Sequence, residues 1–292
     1  MHNLRGILLT LLGASLWGYS GACGQYLFAN YTIDASYLTA LRMFAAGVIL
    51  TAYSLVKHFP VLKELFSKPK TALQLVIFAL PGLAACQYTY LKTISYTNAG
   101  TATVLQYLMP VLILIYVCLA ERRNPRLHEY ASVFLASLGV FVLATHGNPA
   151  EIVISPEGLA WGLASAGTAA LYTLLPRSLM SRFGSVPVVG CGMLIGGLVM
   201  GCFTRLWEPP ALDAASFPAL FGIVILGTVV AFTLYLLGVS LVGPVKASLL
   251  ASAEPVAATV LAVFWLGSAI TAADLTGFAA IIAAVFILTL KK

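Results

Sequence analysis

Long apolar segments alternate with short polar ones along the whole chain. Each apolar segment has about 20 residues, the length that a helix needs to cross ~30 Å of hydrocarbon. The segments can be placed near residues 6–28, 36–56, 71–91, 98–119, 127–145, 157–179, 186–206, 217–239, 244–267 and 272–290. The pattern predicts an all-α integral membrane protein with ten transmembrane helices. Two of the segments that separate neighbouring spans are only weakly polar, namely Lys92 to Asn98 and Gly243-Pro244. The number of predicted spans depends on whether these segments interrupt the apolar runs.

Composition agrees with a chain that lives in a bilayer. Hydrophobic residues make up 60% of it and charged residues only 9%, against about 25% charged residues in an ordinary soluble domain. The cysteines lie inside apolar segments, without CxxC spacing or flanking histidines, so we expect no disulfide framework, no metal site and no cofactor. They are Cys23, Cys86, Cys118, Cys191 and Cys202.

The positive charges are distributed unequally between the two sets of connecting segments. The formal net charge is +6, which in a soluble protein would suggest a nucleic-acid partner. If the N-terminus lies inside, the outer connections carry only Lys92 and Arg205, and the inner ones carry Arg5, Lys57, Lys63, Lys68, Lys70, Arg122, Arg123, Arg126, Arg177, Arg182, Lys291 and Lys292. This bias predicts that both termini are cytoplasmic. Topology therefore accounts for the basic charge, and nucleic acid is excluded as a partner.

A stretch near the middle of the chain recurs 145 positions later in the same register. The least common matches pair Tyr90 with Tyr235, Ser95 with Ser240 and Pro110 with Pro255. Since five spans per half is an odd number, two copies must lie upside down relative to one another, as in many solute transporters. We expect inverted five-helix repeats at residues 1–145 and 150–292.

Several short motifs in a characteristic order resemble the EamA branch of the drug/metabolite transporter superfamily. They are Trp17-Gly18, Ala40-Leu41-Arg42, the run from Tyr96 to Ala102, Pro110, Leu119-Ala120-Glu121, Gly243-Pro244 and Glu254-Pro255. The resemblance covers essentially the whole chain. It implies a ten-helix basket whose central cavity is lined mainly by spans 1, 3, 4, 6, 8 and 9. Two departures, Ala120 in place of the usual glycine and no acid in Leu266-Gly267-Ser268, lie at the membrane surface.

The paired prolines place spans 4 and 9 at the centre of this arrangement. Pro110 and Pro255 each remove a backbone hydrogen bond, and the freed carbonyl groups can line a cavity near the midplane. The alternative is that both prolines only kink their helices for packing, because proline is common in transmembrane helices.

Glu254 is the only carboxylate inside a predicted hydrocarbon core, about ten residues or ~15 Å into span 9. Burying an ionised acid there costs ~2.5–3.5 kcal/mol or more, so it faces a wet cavity or a partner, or it titrates. One hypothesis is that Glu254 binds a substrate amine or a proton. The other is that it caps the backbone around Pro255. Its counterpart in the first repeat is Met109, so the acid breaks the pseudo-symmetry.

Two cations also lie within spans. Arg42 is about 9 Å deep in span 2, from where it can snorkel to the outer interface or cap a carbonyl, which we favour, or hold a substrate carboxylate bidentately. Lys246 begins span 9 near the cytoplasm, where anchoring at the inner interface is favoured over a gate contact with substrate.

Aromatic and amide side chains supply the remaining candidates for substrate contact. Trp17 lies near the middle of span 1, away from the interfacial belt where tryptophan is usual, and either lines the cavity or packs between helices. The other candidates add polar tips to an apolar wall: Gln87, Tyr90, Gln106, Tyr172 and Tyr235. Such a pocket suits small amphipathic metabolites and fits multiply phosphorylated ligands poorly.

These features favour a secondary transporter that works by alternating access. By resemblance, it exports amino acids or similar small metabolites across a bacterial cytoplasmic (inner) membrane. The alternatives are a facilitator or exchanger of another solute class, such as a drug-like cation or a nucleoside or purine, and, less favoured, a membrane-embedded enzyme. No GxxxxGKS or GxxxxGKT motif supports an ATP-driven step. The expected partners are a small-molecule substrate, the lipid bilayer and, as a further candidate, a proton, for a monomer or homodimer.

Overall fold

The computed structural model describes residues 2–146, 148, 153–243, 247 and 250–290, and every regular element in these ranges is helical. The all-α prediction is therefore confirmed. Seven helices in this part are long and apolar enough to cross a membrane, and Pro156–Leu174 with Arg177–Phe183, bent by 41°, form an eighth candidate. Ala253–Phe264 and Ala272–Ile287 are shorter apolar helices. The protein is a multi-pass membrane protein.

The helices of the first half begin with two long elements and then divide into shorter ones. They are α1 (His2–Asn30), α2 (Ala35–Lys57), α3 (Phe59–Ser67), α4 (Pro69–Ile77), α5 (Ala85–Tyr96), α6 (Ala99–Gln106), α7 (Met109–Ala120) and α8 (Leu127–Thr145). The short helix α3 lies in a connection that the hydrophobic pattern left without structure. It forms because Pro60 occupies its first turn, where a missing N–H costs nothing.

The second half repeats much of this order. It contains α9 (Pro156–Leu174), α10 (Arg177–Phe183), α11 (Ser185–Thr204), α12 (Phe217–Phe221), α13 (Ala231–Val242), α14 (Ala253–Phe264) and α15 (Ala272–Leu290). A short 3₁₀ turn, Ala214–Ser216, precedes α12.

Two helices widen into π-helical turns at corresponding places in the two halves. One wide segment, Phe78–Ala84, joins α4 to α5, and the other, Gly222–Val230, joins α12 to α13. The first contains Pro81, which cannot donate to the helical ladder. In the second, the hydroxyl of Thr228 donates to the carbonyl oxygen of Ile223 at 2.8 Å. Such turns leave carbonyl groups off the regular ladder and are frequent at functional sites.

Glycines allow several helices to approach each other closely. A Cβ atom on Gly47 of α2 would lie 2.4 Å from the backbone nitrogen of Leu194, and one on Gly197 of α11 would lie 2.4 Å from that of Phe44. Similarly, a Cβ on Gly18 of α1 would lie 2.6 Å from the carbonyl oxygen of Glu254. Small residues permit such contacts between transmembrane helices. The helix α1 thus lies directly against α14.

Candidate functional site

A cavity of about 360 Å³ lies in the middle of the bundle, between helices of both halves. Its wall includes nine of the residues singled out from the sequence: Trp17, Arg42, Gln87, Tyr90, Gln106, Pro110, Tyr172, Tyr235 and Glu254. Pro255 is buried at the start of α14 and does not line the cavity. Lys246 lies outside the described residues. The structure thus gathers most of the candidates around one space.

The broken helices of the two halves meet at this cavity. A turn at Tyr107 and Leu108 separates α6 from α7, and another turn, at Ala251 and Ser252, precedes α14. The hydroxyl of Tyr107 donates to the carbonyl oxygen of Ala251 at 2.5 Å. Both residues line the cavity, so the two helix breaks meet at its wall.

Glu254 occupies the first turn of α14, where the positive end of the helix dipole favours a carboxylate. The backbone N–H of Glu254 donates to the carbonyl oxygen of Ala251 at 2.9 Å. The acid is therefore fixed at the helix break by its own backbone while its side chain faces the cavity.

Arg42 points into the bundle and is only 4% exposed. Its Nε donates to Thr228 Oγ1 at 2.8 Å, and its Nη2 donates to the carbonyl oxygen of Gly227 at 3.4 Å. The bond to Gly227 is a carbonyl cap, which is one of the two structural roles that the sequence favoured. The other, snorkelling to the outer interface, does not occur, because the side chain is buried. The physical reason is the π-helical turn Gly222–Val230, which presents Gly227 as an acceptor inside the protein.

The two buried charges of the cavity do not pair with each other. No guanidinium nitrogen of Arg42 lies within 4.0 Å of a carboxylate oxygen in the described part of the chain. Glu254 is likewise without an ion pair to any described residue. A guanidinium has five N–H donors, and two of those of Arg42 are bonded to residues that the structure describes. Further donors therefore remain for a ligand.

Aromatic rings form much of the remaining wall. The ring of Trp17 meets Phe232 edge-on at 5.1 Å between centroids and lies tilted over Tyr235 at 4.8 Å. Tyr172 stacks on Phe78 at 5.8 Å. Trp17 therefore fits both sequence interpretations, because it packs between helices and also lines the cavity.

Some of the polar side chains in the cavity wall form hydrogen bonds with other residues of the protein. Gln106 donates from Nε2 to Ser165 Oγ at 2.9 Å and to the sulfur of Cys86 at 3.7 Å. The hydroxyls of Tyr90 and Thr103 are 2.8 Å apart. These bonds hold the side chains in position at the wall, while Gln87 lines the cavity beside them.

Sequence reasoning missed three wall residues that the structure brings into the site. Tyr107 lies shortly before Pro110 in the chain, and its closeness to that proline was a usable signal. Cys86 was interpreted as an apolar filler but lines the cavity. Phe232 carries no signal of its own, since one phenylalanine in an apolar span does not stand out.

Toward one end of the bundle lies a set of contacts that we call the Gln25 clamp. Gln25 of α1 accepts a hydrogen bond from the backbone N–H of Ala99 at 2.8 Å and donates to Ser268 Oγ at 2.7 Å. Beside it, the ring of Trp265 stacks on Tyr19 and Tyr26, with centroids 5.9 and 5.7 Å apart. The clamp, formed by these six residues, joins α1, the start of α6 and the segment after α14.

The cavity extends away from the clamp, toward the opposite end of the bundle. Its wall there includes Met180 and Ser185, at the junction of α10 and α11. Arg177 and Arg182 belong to the same junction. The cavity therefore reaches toward the end of the bundle that carries most of the positive charge.

Polar contacts outside the spans fix the connections at both ends. On the clamp side, the hydrogen bond from the Tyr31 hydroxyl to Asp213 lowers the pKa of that carboxyl. At the other end, Arg123 donates to both carboxylate oxygens of Glu129, at 2.8 and 2.9 Å, and this raises the pKa of the guanidinium.

Comparison with known proteins adds an independent line of evidence. The EamA-like transporter family matches residues 4–145 and again 156–290. The chain is 38% identical over 292 residues to the uncharacterized inner membrane transporter YicL of Salmonella typhimurium, with 99% of this chain and 96% of the relative covered. An uncharacterized transporter of Archaeoglobus fulgidus is 27% identical over 103 residues, which cover 35% of this chain and 36% of the relative.

A solved crystal structure supports the fold. It superimposes with a TM-score of 0.62 at 21% identity and covers 99% of this chain and 97% of that chain. At this identity the likeness shows the fold alone. Because the family matches both halves and the Salmonella relative matches nearly the entire chain, the protein belongs to the EamA-like transporter family and is a membrane transporter of that family.

Proposed function

We propose that the protein is a secondary transporter that exports amino acids or similar small metabolites by alternating access, with the central cavity as its substrate site. The observation that carries the proposal is the 360 Å³ cavity, in which one guanidinium and one carboxylate face the same space without an ion pair between them. Its volume lies within the ~300–1,000 Å³ of ordinary small-molecule sites.

The proposed architecture is ten spans in two inverted repeats, at residues 1–145 and 150–292, with both termini in the cytoplasm. The corresponding positions of the two π-helical segments support the duplication, because they begin at Phe78 and Gly222, within one position of the 145-residue interval. The excess of Lys and Arg on one set of connections supports the orientation, in the inner membrane of a bacterium.

In this orientation the Gln25 clamp lies on the outer side, and the cavity faces the cytoplasm. A substrate would enter between the inner ends of α10 and α11 and bind beside Arg42 and Glu254. Release to the outside requires that the clamp opens while the inner ends close, as expected when inverted halves rock around a midplane site.

The chemistry of the wall favours a substrate that carries both an anion and a cation. Arg42 suits a carboxylate, which it can hold bidentately, and Glu254 suits an ammonium group. A ligand with only one charge would leave the other buried charge without compensation, which is strongly unfavourable. The aromatic wall around Trp17 and Tyr235 would cover an apolar side chain.

A lipophilic cation is the second candidate, because Glu254 and the ring of Trp17 line the same cavity and both attract a positive charge. Arg42 argues against this candidate, since its charge would repel the ligand at close range. Coupling to a proton is a separate proposal that rests on Glu254 as the titrating group.

Counterflow in proteoliposomes tests these proposals. Vesicles preloaded with an unlabelled L-amino acid should accumulate the same labelled amino acid transiently, and Arg42→Gln and Glu254→Gln should each reduce the initial rate about tenfold or more, because each removes a charge-assisted hydrogen bond. Ser95→Ala, which changes an exposed hydroxyl bonded within its own helix, is the matched control. Exchange of a lipophilic cation and not of amino acids would support the second candidate. Absence of exchange for every solute class would contradict the transport proposal.

A further inference from the structure

A second, open groove lies on the outside of the bundle, between the end of α2, the short helix α3 and α11. It has a volume of about 600 Å³. Its wall is apolar apart from a few groups, with Leu55 of α2, Phe59 and Phe66 of α3 and Ile195 of α11 as its main surfaces. The central cavity and this groove lie on different sides of α11, which contributes Val189 to the cavity.

The helix α3 forms one wall of the groove and is attached to the protein by two buried leucines, of which Leu62 also lines the groove. Leu62 and Leu65 are 5% and 0% exposed and join the hydrophobic core. Phe59 and Phe66, seven residues apart, lie on one face of the helix. They remain 57% and 53% exposed although they line the groove. The groove is therefore held in shape by the core and still has two uncovered aromatic rings.

The position of the groove along α2 corresponds to the boundary between hydrocarbon and headgroups. α2 is apolar enough to cross a membrane and ends at Lys57. The groove begins at Thr51, six residues or about 9 Å before that end, and continues past it to Ser67. At this depth, the end of the groove toward the bilayer centre can accept an acyl chain, and the end toward the membrane surface can accept a headgroup.

Positive charge surrounds the headgroup end. Lys63 lines the groove, and Lys57 ends the neighbouring helix. The acid of α3, Glu64, forms an ion pair with Arg182. The charge at the rim is therefore complementary to an anionic headgroup, and each cation near a membrane surface strengthens binding of such a lipid about fivefold.

We propose that this groove binds one anionic phospholipid, with an acyl chain between Phe59, Phe66 and Ile195 and the phosphate at Lys63. The acyl chain of such a lipid covers the exposed aromatic rings, and its phosphate neutralises the positive charge at the rim of the groove. Because the proposal requires only that the chain is a membrane protein, it stands whether or not the central cavity transports amino acids.

Native mass spectrometry of the full chain released from detergent tests the proposal, with phosphatidylglycerol and phosphatidylcholine of identical acyl chains as probes. The wild type should retain one phosphatidylglycerol in preference to phosphatidylcholine. Lys63→Gln should reduce that preference about fivefold. Lys68→Gln is the matched control, because Lys68 belongs to the same connection, carries the same charge and does not line the groove.

Ile195→Trp provides a second variant, which fills the groove without altering charge and should remove the retained lipid whatever its headgroup. Equal loss of preference in Lys63→Gln and Lys68→Gln would overturn the site in favour of diffuse surface charge. Unchanged adducts in Ile195→Trp would also overturn it. Displacement of the lipid by glycerol 3-phosphate alone would show that a soluble phosphate occupies the groove instead. A dimer that dissociates in Ile195→Trp would show that a second copy of the chain occupies it.

Discussion

The Gln25 clamp makes a quantitative prediction about which side of the cavity opens. Gln25→Leu keeps the approximate volume of the side chain and removes both of its bonds, to the Ala99 N–H and to Ser268. Each such bond contributes about 0.5–1.5 kcal/mol net. Together they amount to about 1–3 kcal/mol, or about a 5- to 150-fold shift of the equilibrium toward states open on the clamp side.

Cys86 is a natural reporter for this shift, because it lines the cavity and is a free thiol. In a chain whose other four cysteines are replaced, a membrane-impermeant methanethiosulfonate reagent added outside right-side-out vesicles should react faster with Gln25→Leu than with the parent. The acceleration should fall within the range calculated from the two lost bonds. Reaction from the cytoplasmic side should become slower in the same variant.

Ser95→Ala is the control, since its hydroxyl bonds only to the Lys92 carbonyl oxygen in its own helix and lies at the same end of the bundle. Equal labelling rates in the two variants would refute the inference that the clamp holds this end closed. Faster labelling from the cytoplasmic side alone would instead show that the proposed orientation is reversed.

Two further predictions concern packing and the outer connections. Gly197→Ala should lower the melting temperature in detergent, because its Cβ would lie 2.4 Å from the backbone nitrogen of Phe44 and overpacking costs about 1–3 kcal/mol; Gly167→Ala, where a Cβ meets nothing within 4 Å, should not lower it. Since the pKa of Asp213 is lowered in the folded state, its bond with Tyr31 stabilises the protein above the usual pKa of about 3.9 and ceases to do so as the pH falls through the lowered value. Tyr31→Phe should therefore melt below the wild type at pH 7, and the gap should close in acid; a gap independent of pH would contradict this reasoning.

Periodicity and apolar length were enough to predict the helical class and the position of most helices. The last helix was expected near 272–290 and is Ala272–Leu290 in the structure. The cavity residues could also be selected, because a buried carboxylate such as Glu254 or a tryptophan in mid-span is costly or unusual and therefore conspicuous.

The local backbone could not be predicted in the same way. Nothing in the apolar run Gly222–Val230 distinguishes a π-helical turn from a regular helix, and the orientation of Arg42 depends on the acceptor that this turn creates. The depth of Arg42 in its span allowed both an outward and an inward course of the side chain. Tertiary contact with Gly227 and Thr228 decided between them.

The bond between Tyr107 and Ala251 has a mechanical consequence. It connects the interruption in the first half of the chain directly to the interruption in the second, through one hydroxyl group. If each break serves as a hinge, the motions of the two hinges are coupled, because neither half can rotate far alone without breaking this hydrogen bond. A substrate group that competes for the Tyr107 hydroxyl would then break this link and allow the two halves to move.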